Sequence, residues 1–482
     1  MLSIAGCVAY WAEQKADEIA VADDMRAVSW RTLDLHTNQL ARAYASKGVG
    51  EGDFVVIVLP NGVAFYEAVL ATWKLGATPL PLSSRMPLIE RDPIVELVRP
   101  KLLVGLDAGS KTCNWASATF APSADTSDAA LADCVPRSWK ALASGGSTGL
   151  PKVIVSKDPG LFDPMAPQFD METSGVHLVA GPLYHNAAFM FSARALFCGN
   201  RLVVMPRFDA ERALALIERE RATYSVVVPT MMQRIWKLPD ETRARFDLSS
   251  LQHVLHTGAP CPQWLKKAWL EWLGSDVLLE VYGGTEGCGA CWITGSEWLQ
   301  KPGSVGKALQ GYSIRVLGPE GNDLPPGENG DVFMMPETGP GTSYFYIGGV
   351  SSRNSDGWEW IGDMGHLDED GYLYLSDRRS DLIISGGANI YPAEVEAVID
   401  SYPGVRSNAV VGLPDEDLGA RVHAIIDAPG GVDEAALLAY LGERLVRYKV
   451  PRTIEFLNTP VRDEAGKVRR SALRNDRLRA AD

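Results

Sequence analysis

No apolar run in this 482-residue chain approaches the roughly 18 residues of a membrane-spanning helix, so neither a transmembrane segment nor a membrane partner is expected. Positive charge is in deficit: 46 Lys and Arg stand against 60 Asp and Glu, a net charge of −14. That balance argues against nucleic acid as a partner. The basic run KVRRSALRNDRLRAAD near the C-terminus reads as a solvated helix face. Cysteine is sparse and odd in number, seven scattered residues, which fits a reducing cytoplasm and not a disulfide framework. Cys288 and Cys291 have CxxC spacing, but no second pair or histidine cluster completes a zinc site. They read as structural or pocket-lining residues. The N-terminal MLSIAGCVAYWAEQKADEIA lacks the basic start of a signal peptide and reads as an amphipathic helix. Internal repeats and low-complexity tracts are absent too.

What is present is alternation. FVVIVLP (54–60) is a continuous apolar run, as a strand buried on both faces requires. Asn61 is placed to cap the next helix, whose Phe65, Val69, Leu70 and Trp73 share one face, and Gly76 ends it. RLVVMP, ERALALIERE, YSVVVP, HVLHTGAP and VLLEVYGG repeat the theme, which implies parallel α/β layers. Two stretches read as long loops, 106–140 and 336–358. Beyond about residue 378 the pattern changes to a smaller α+β unit of about 100 residues, large enough to be a domain. The expected fold is therefore α/β: a large N-terminal domain of layered subdomains, 1–378, and a small mobile α+β domain, 379–482. The charged SDRRSD (376–381) lies between them.

The segment ASGGSTGLPKVIV (143–155) has the residue types of a phosphate loop. It is not a Walker A loop, because Leu150 stands where the second glycine should be and Pro151 disfavours a helix opening at Lys152. What remains is a loop of Ser144, Gly145, Gly146, Ser147, Thr148 and Gly149 followed by a cation, Lys152. Its glycines allow backbone N–H groups to approach an anion; the alternative is a polar turn between strands. VYGGTEG (281–287) offers an aromatic ring at Tyr282, glycine at Gly283, a hydroxyl at Thr285 and a carboxylate at Glu286. One carboxylate suffices for Mg²⁺ when substrate phosphates supply the rest. HTGAP places Gly258 and Ala259 in a turn after a strand. Asp363 and Arg378 lie in IGDMGHLDEDGYLYLSDRR, where an aspartate after a strand suits ribose hydroxyls or is simply a turn residue. Gly386 and Gly387 precede a helix beginning at Pro392, and Lys467 follows Gly466 in PVRDEAGKVRRSAL.

Together, in this order, these stretches resemble the adenylate-forming superfamily, and within it the acyl-CoA synthetase/ligase branch. GPLYHNAAF, SGGSTGLPKVI and VYGGTEG…WITG look most like bacterial bile-acid, steroid or aryl-CoA ligases. The resemblance implies that a carboxylate attacks ATP to give an acyl-adenylate and pyrophosphate, and that CoA then displaces AMP. By position, Lys467 would bridge the carboxylate and the α-phosphate, and Glu286 would bind Mg²⁺. Ser147, Thr148 and Lys152 would hold the departing phosphates, and Thr285 the α-phosphate. Tyr282 would stack on adenine beside Gly258 and Ala259, and Asp363 and Arg378 would hold the ribose. His185 would border the acyl site, lined by Tyr184, Asn186, Phe189, Cys288 and VVVPTMM. No basic residue is evident for a second carboxylate, so a hydrophobic or aromatic acid is expected. The small domain would swing about Ser380, next to Asp381, and Gly386 and Gly387 would line the thiol tunnel. Ser380 stands where many relatives carry Asp or Lys, and Ala420 departs from a common Gly-Glu pair. A different acceptor (a carrier-protein thiol, an amine, or diazotisation with nitrous acid) stays open, as does a silent binding protein. Transfer to a carrier is expected in trans, and a homodimer is left open.

Overall fold

An apolar strand without alternation needs cover on both faces, and the computed structural model gives Phe54–Ile57 that cover. The structure describes residues 1–105, 113–145, 151–464 and 466–479. Phe54–Ile57 is an inner strand of a four-stranded parallel sheet, between Thr78–Pro81 and Leu102–Val104, with Asn114–Ala116 at the far edge. A nine-stranded sheet is the larger layer. Its middle strands, Leu278–Gly283, His253–His256, Tyr224–Val227, Val176–Val179, Arg201–Val204 and Ile19–Ala22, are parallel neighbours in that order. Ala290–Thr294 adds to one side antiparallel and ends near Lys307–Ala308; Ala27–Ser29 closes the other. Between the sheets, the helix Val63–Lys74 is buried at almost every position.

Asn61 does not cap that helix. The N-cap is Gly62, and the first helical N–H, on Val63, donates to Asp23 at 2.8 Å. Asn61 instead donates to the carbonyls of Gly181 and Met205 and accepts from the Leu183 N–H at 2.9 Å. It pins the turn that leads into Tyr184 and His185. The 336–358 stretch is also not all loop: Tyr344–Ile347 pairs with Pro151–Ser156, which pairs with Ala141–Gly145. Within 106–140, Asn114–Ala116 is a strand. An antiparallel sheet of Tyr312–Leu317, Gly330–Pro336, Glu359–Leu367 and Leu373–Arg378 completes this part of the chain.

From Ile383 onward the chain builds a core of its own. Ser407–Asp415, Gly419–Asp427 and Thr453–Leu457 form its sheet, covered by helices Pro392–Asp400 and Glu434–Gly442. Pro392 opens its helix at the first turn, where a missing N–H costs nothing. The basic C-terminal run forms the helix Arg470–Arg479 but is not simply solvated. Arg477 pairs with Glu455 at 2.7 Å, and Arg470 pairs with Asp381 at 2.7 Å and Glu396 at 2.8 Å. Gln233 and Lys237 of the larger unit donate to the Asp400 and Val405 carbonyls of this one, and ion pairs near the site also join the two. They include Arg85–Glu464 at 2.5 Å and Arg469–Glu90 at 3.4 Å. Exposed pairs of this kind contribute little, about 0–1 kcal/mol, so the docking they provide is weak.

Glu396 is the electrostatic keystone of the smaller unit. It is buried, and it accepts from Arg462, Arg470 and the Val410 N–H. Burial pushes its pKa up, but Arg462 and then Arg470 more than offset this and leave it below its ordinary range. Replacing it leaves Arg462 without its carboxylate and Arg470 with Asp381 alone. Glu396→Ala is expected to lower the stability of the smaller unit by roughly 3–5 kcal/mol at neutral pH. Because the folded pKa is depressed, that contribution is present above the ordinary carboxylate range and is lost as pH falls through the folded value. Urea titrations of both proteins from pH 7 downward check this: the gap in midpoint should close in acid.

Candidate active site

The larger and smaller units enclose a cleft of about 2890 Å³. Its walls bring together most of the residues singled out in the sequence: Ser144, Lys152, His185, Gly258, Ala259, Tyr282, Gly283, Thr285, Glu286, Asp363, Arg378 and Lys467. Gly146, Ser147, Thr148 and Gly149 lie outside the described residues. The strands on either side of them are antiparallel partners, with Gly145 opposite Pro151 and Ser144 opposite Lys152. Lys152 lies in the strand Pro151–Ser156, so no helix opens there as it would in a Walker loop. Gly386 and Gly387 stand apart from the cleft in this arrangement. Both have positive φ, at +57° and +80°, and they turn a hairpin between Ile383–Ser385 and Ala388–Ile390.

Asp363 and Arg378 are direct cross-strand partners. The Arg378 Nε donates to Asp363 Oδ1 at 3.2 Å, and the Tyr282 hydroxyl donates to Asp363 Oδ2 at 2.6 Å. Tyr282 is thus fixed by its hydroxyl, which leaves the ring as the surface it can offer. Gly258, at φ +86°, turns the chain after His253–His256 and carries Ala259 into the wall.

Glu286 is held by a residue that the sequence did not single out. The Tyr346 hydroxyl donates to Glu286 Oε1 at 2.6 Å. Lys152 Nζ donates to the same hydroxyl at 3.2 Å and sits 4.3 Å from the centre of the Tyr346 ring. A cation, a phenol and a carboxylate thus form one chain beside the glycine-rich loop. Burial, then the charge on Glu286, pushes the Tyr346 pKa up, so it remains a donor. Gly284 makes room for this carboxylate, since a Cβ there would meet Glu286 Oε2 at 2.8 Å.

Lys467 is accessible from the cleft. Burial by the surrounding protein, then the charge on Arg378, lowers its pKa; Asp463 and Glu286 act in the other direction. His185 precedes the helix Asn186–Phe197 and packs its ring 4.5 Å from that of Tyr184. Burial, then Lys467, brings its pKa down to about 4, so it is neutral at physiological pH. Its Nε2 is buried without a hydrogen-bond partner.

The acid pocket differs from expectation at two positions. Phe189 is fully buried and packs on Phe65, Trp73 and Trp139. Cys288 is fully buried in a core with Cys291 and Met334. Neither reaches the cleft. The helix instead turns Asn186, Ala187, Met190, Phe191 and Arg194 to it, the spacing of one helical face. In the VVVPTMM stretch, Val228, Pro229 and Thr230 face the cleft, while Met231 and Met232 are buried in a core. Two cations line the cleft as well, Arg194 and Lys140, where none was foreseen.

The chain is similar to known proteins along most of its length. Residues 8–341 match the family described as AMP-binding enzyme, and residues 394–467 match the AMP-binding enzyme C-terminal domain. A feruloyl-CoA synthase of Amycolatopsis sp is 32% identical over 473 residues, covering 94% of this chain and 95% of that one. A 2-succinylbenzoate–CoA ligase of Bacillus licheniformis is 31% identical, covering 96% and 98%. Among solved structures, the o-succinylbenzoate CoA synthetase of Bacillus subtilis, in complex with its acyl-adenylate intermediate, superimposes with a TM-score of 0.83. It is 26% identical and covers 97% of each chain.

Lys140 offers a local test of the cleft's electrostatics. Burial, then the charge on Arg194, lowers its pKa to about 7. Above that value the unfolded chain binds the extra proton, so wild-type stability rises with pH until the ordinary lysine range is reached. Relative to Lys140→Met, the wild type should therefore gain stability between about pH 7 and 10, by at most about 1.4 kcal/mol per unit. Parallel urea midpoints across that range test it; parallel curves would contradict the lowered pKa.

Proposed function

The chain belongs to the AMP-binding enzyme family, on its acyl-CoA ligase branch, and from that premise we propose how the cleft works. It joins a hydrophobic or aromatic carboxylic acid to ATP as an acyl-adenylate. It then passes the acyl group to CoA and releases AMP and pyrophosphate. The observation that carries this reading is the convergence of Lys467, from the smaller unit, on Glu286 and the Asp363–Arg378 pair of the larger one.

The chemical obstacle is that a carboxylate must reach an anionic phosphate. Cations fixed in a water-poor cleft offset that repulsion far better than they would in water. Lys467 would lie between the attacking carboxylate and the α-phosphate. Thr285 would donate to that phosphate as charge builds on it. Lys152, steadied by Tyr346, would hold the leaving phosphates together with Ser147 and Thr148. Asp363 and Arg378 would take the ribose hydroxyls, with the Tyr282 ring on the adenine and the Gly258–Ala259 turn at its edge. His185, neutral and with an unpartnered Nε2, would offer the acyl group a hydrogen bond without adding charge.

Mg²⁺ fits this donor set. Among the described residues no group of three or more His, Cys, Asp or Glu side chains could hold a metal ion on its own. One carboxylate plus substrate phosphates is the usual arrangement for this cation, and Glu286 would supply the carboxylate. When bound, the ion would offset phosphate charge.

Lys467 reaches the cleft only through the smaller unit, whose exposed ion pairs with the larger one contribute little to docking. A swing about Ser380 would withdraw it and admit the thiol, with Gly386 and Gly387 near the new entrance. Asp381 would restrain that swing through Arg470. No helix among the described residues is long and apolar enough to cross a membrane, and sparse cysteine supports a cytoplasmic setting.

Lys467→Ala should abolish acid-dependent exchange of pyrophosphate into ATP while sparing thiolysis of supplied acyl-adenylate. Equal loss of both half-reactions would contradict the division of labour. Tyr346→Phe removes a hydrogen bond to a charged group and frees Glu286. It is expected to raise the KM for Mg·ATP about tenfold, with a smaller effect on kcat. Initial rates of pyrophosphate release against Mg·ATP concentration provide the measurement.

A further inference from the structure

We propose that the preferred acid carries a second anionic group, a distal carboxylate read by Arg194, with Lys140 adding positive charge from the start of the same helix. The inference rests on the ligase reading above and narrows its substrate class.

The helix Asn186–Phe197 starts beside His185, where the reacting carboxylate would lie. Its cleft-facing residues run from Asn186 through Met190 to Arg194. Eight residues at 1.5 Å each put Arg194 roughly 12 Å farther along the helix. The wall between is aromatic. The Phe169 ring lies 5.0 Å from that of Phe191 and 5.8 Å from that of Trp292. At the far end Arg194 sits 5.2 Å from the Phe169 ring centre, and its Nη1 donates to the amide oxygen of Gln168. Lys140 is only 7% exposed, and its Nζ donates to the amide oxygen of Asn186.

Both cations are thus held by neutral amides. Among the described residues neither has a carboxylate within ion-pair distance. Asp158 and Tyr312 also line the cleft here, and Asp158 is the carboxylate that acts on both cations from farther off. Glu286 also acts on Lys140, and Asp170 lines the cleft beside Phe169, so the two cations are offset only from a distance and neither is directly paired. Burying a cation without a counter-charge is unfavourable, and the cost is recovered if the ligand brings one. A guanidinium also matches a carboxylate in planar, two-point geometry. Phe169 and Asp170, next to these groups, both hold positive φ, at +59° and +53°. Backbone in that region is strained for such residues, and such strain gathers at ligand-binding sites. An acid that fits has an aromatic or otherwise flat body and two carboxylates on the order of 10 Å apart.

The test uses the full-length enzyme and matched acids. Each aryl-alkanoic acid carries at its far end a carboxylate, an isosteric carboxamide or an ammonium group. Pyrophosphate release and CoA thioester are both measured. The wild type should favour the carboxylate over the carboxamide by tenfold or more in kcat/KM. Arg194→Met should erase that ratio, mostly through KM, Arg194→Lys should restore part of it, and Arg194→Glu should shift preference to the ammonium acid. Lys140→Met should reduce the ratio less. If a variant fails to fold, the wild-type ratio decides. Turnover of carboxamide acids at least as good as that of dicarboxylates would overturn this inference and leave the ligase reading standing. An unchanged ratio in Arg194→Met would do the same. Failure of every acid to release pyrophosphate would overturn both.

Discussion

Like charges do not meet in a dry cleft unless fixed opposite charges are already waiting. That constraint organises this molecule. Its net charge is −14, yet Lys140, Lys152, Arg194, Arg378 and Lys467 all line one cleft. Carboxylates line it too, Glu286, Asp158 and Asp363 among them. Within the cleft, the cations that would touch ligand are held by neutral or aromatic partners: Lys152 by Tyr346, Lys140 by Asn186, Arg194 by Gln168. Arg378 is the exception, paired with Asp363, which suits a residue that orients a sugar and does not counter a phosphate. The partner chemistry separates charges kept for ligand from charges spent on structure. Other cations of the same walls are paired directly, Arg470 and Arg462 with Glu396, and Lys266 with Glu280.

The fold follows from the need to bring such cations from two cores to one place. The larger unit supplies strand ends and turns at the C-terminal side of its parallel sheet, where Gly258, Gly283 and Thr285 stand. The smaller unit supplies Lys467. A rigid junction would trap whatever forms between them. The contacts near the site include exposed ion pairs, Arg85–Glu464 and Arg469–Glu90, which contribute little to docking. The strong electrostatics of the smaller unit, centred on Glu396, are internal to it. Its own cohesion does not depend on the cleft.

Much of this was legible in the sequence where one segment determines its own environment. The run Phe54–Ile57 has no polar alternation, and only an inner parallel strand satisfies it. Pro392 announces a helix start by its missing N–H. The glycine-rich loop was separable from a Walker loop by Leu150 and Pro151. What was not legible depends on partners far along the chain. Asn61 looks like a cap, but Asp23 captures the Val63 N–H and leaves Asn61 to bind the turn before Tyr184. Tyr346 gains its role from pairing with the strand that begins at Pro151, nearly two hundred residues earlier. Phe189 and Cys288 were placed at the pocket by proximity in sequence, and the phase of a helix and of a turn put them in cores. The residues 146–150 lie outside what the structure describes.

The same limit explains why a polar acid pocket was not foreseen. Arg194 sits in SARALF and Lys140 in SWKALA, and each reads as an ordinary surface charge. Only the fold shows that one lies at the far end of a cleft-facing helix stripe and the other at the base of the strand leading to the phosphate loop. A lysine whose pKa falls to about 7 burdens the folded state wherever it must remain charged. Stability alone would favour methionine there, as it would a neutral side chain in place of Arg194. Groups that work against stability are commonly retained for what they bind. In the proposed mechanism Lys467 would meet the reacting carboxylate near the start of the helix, and Arg194 lies roughly two helical turns farther along it. The remaining positive charge therefore calls for a different anion, at the other end of the same substrate.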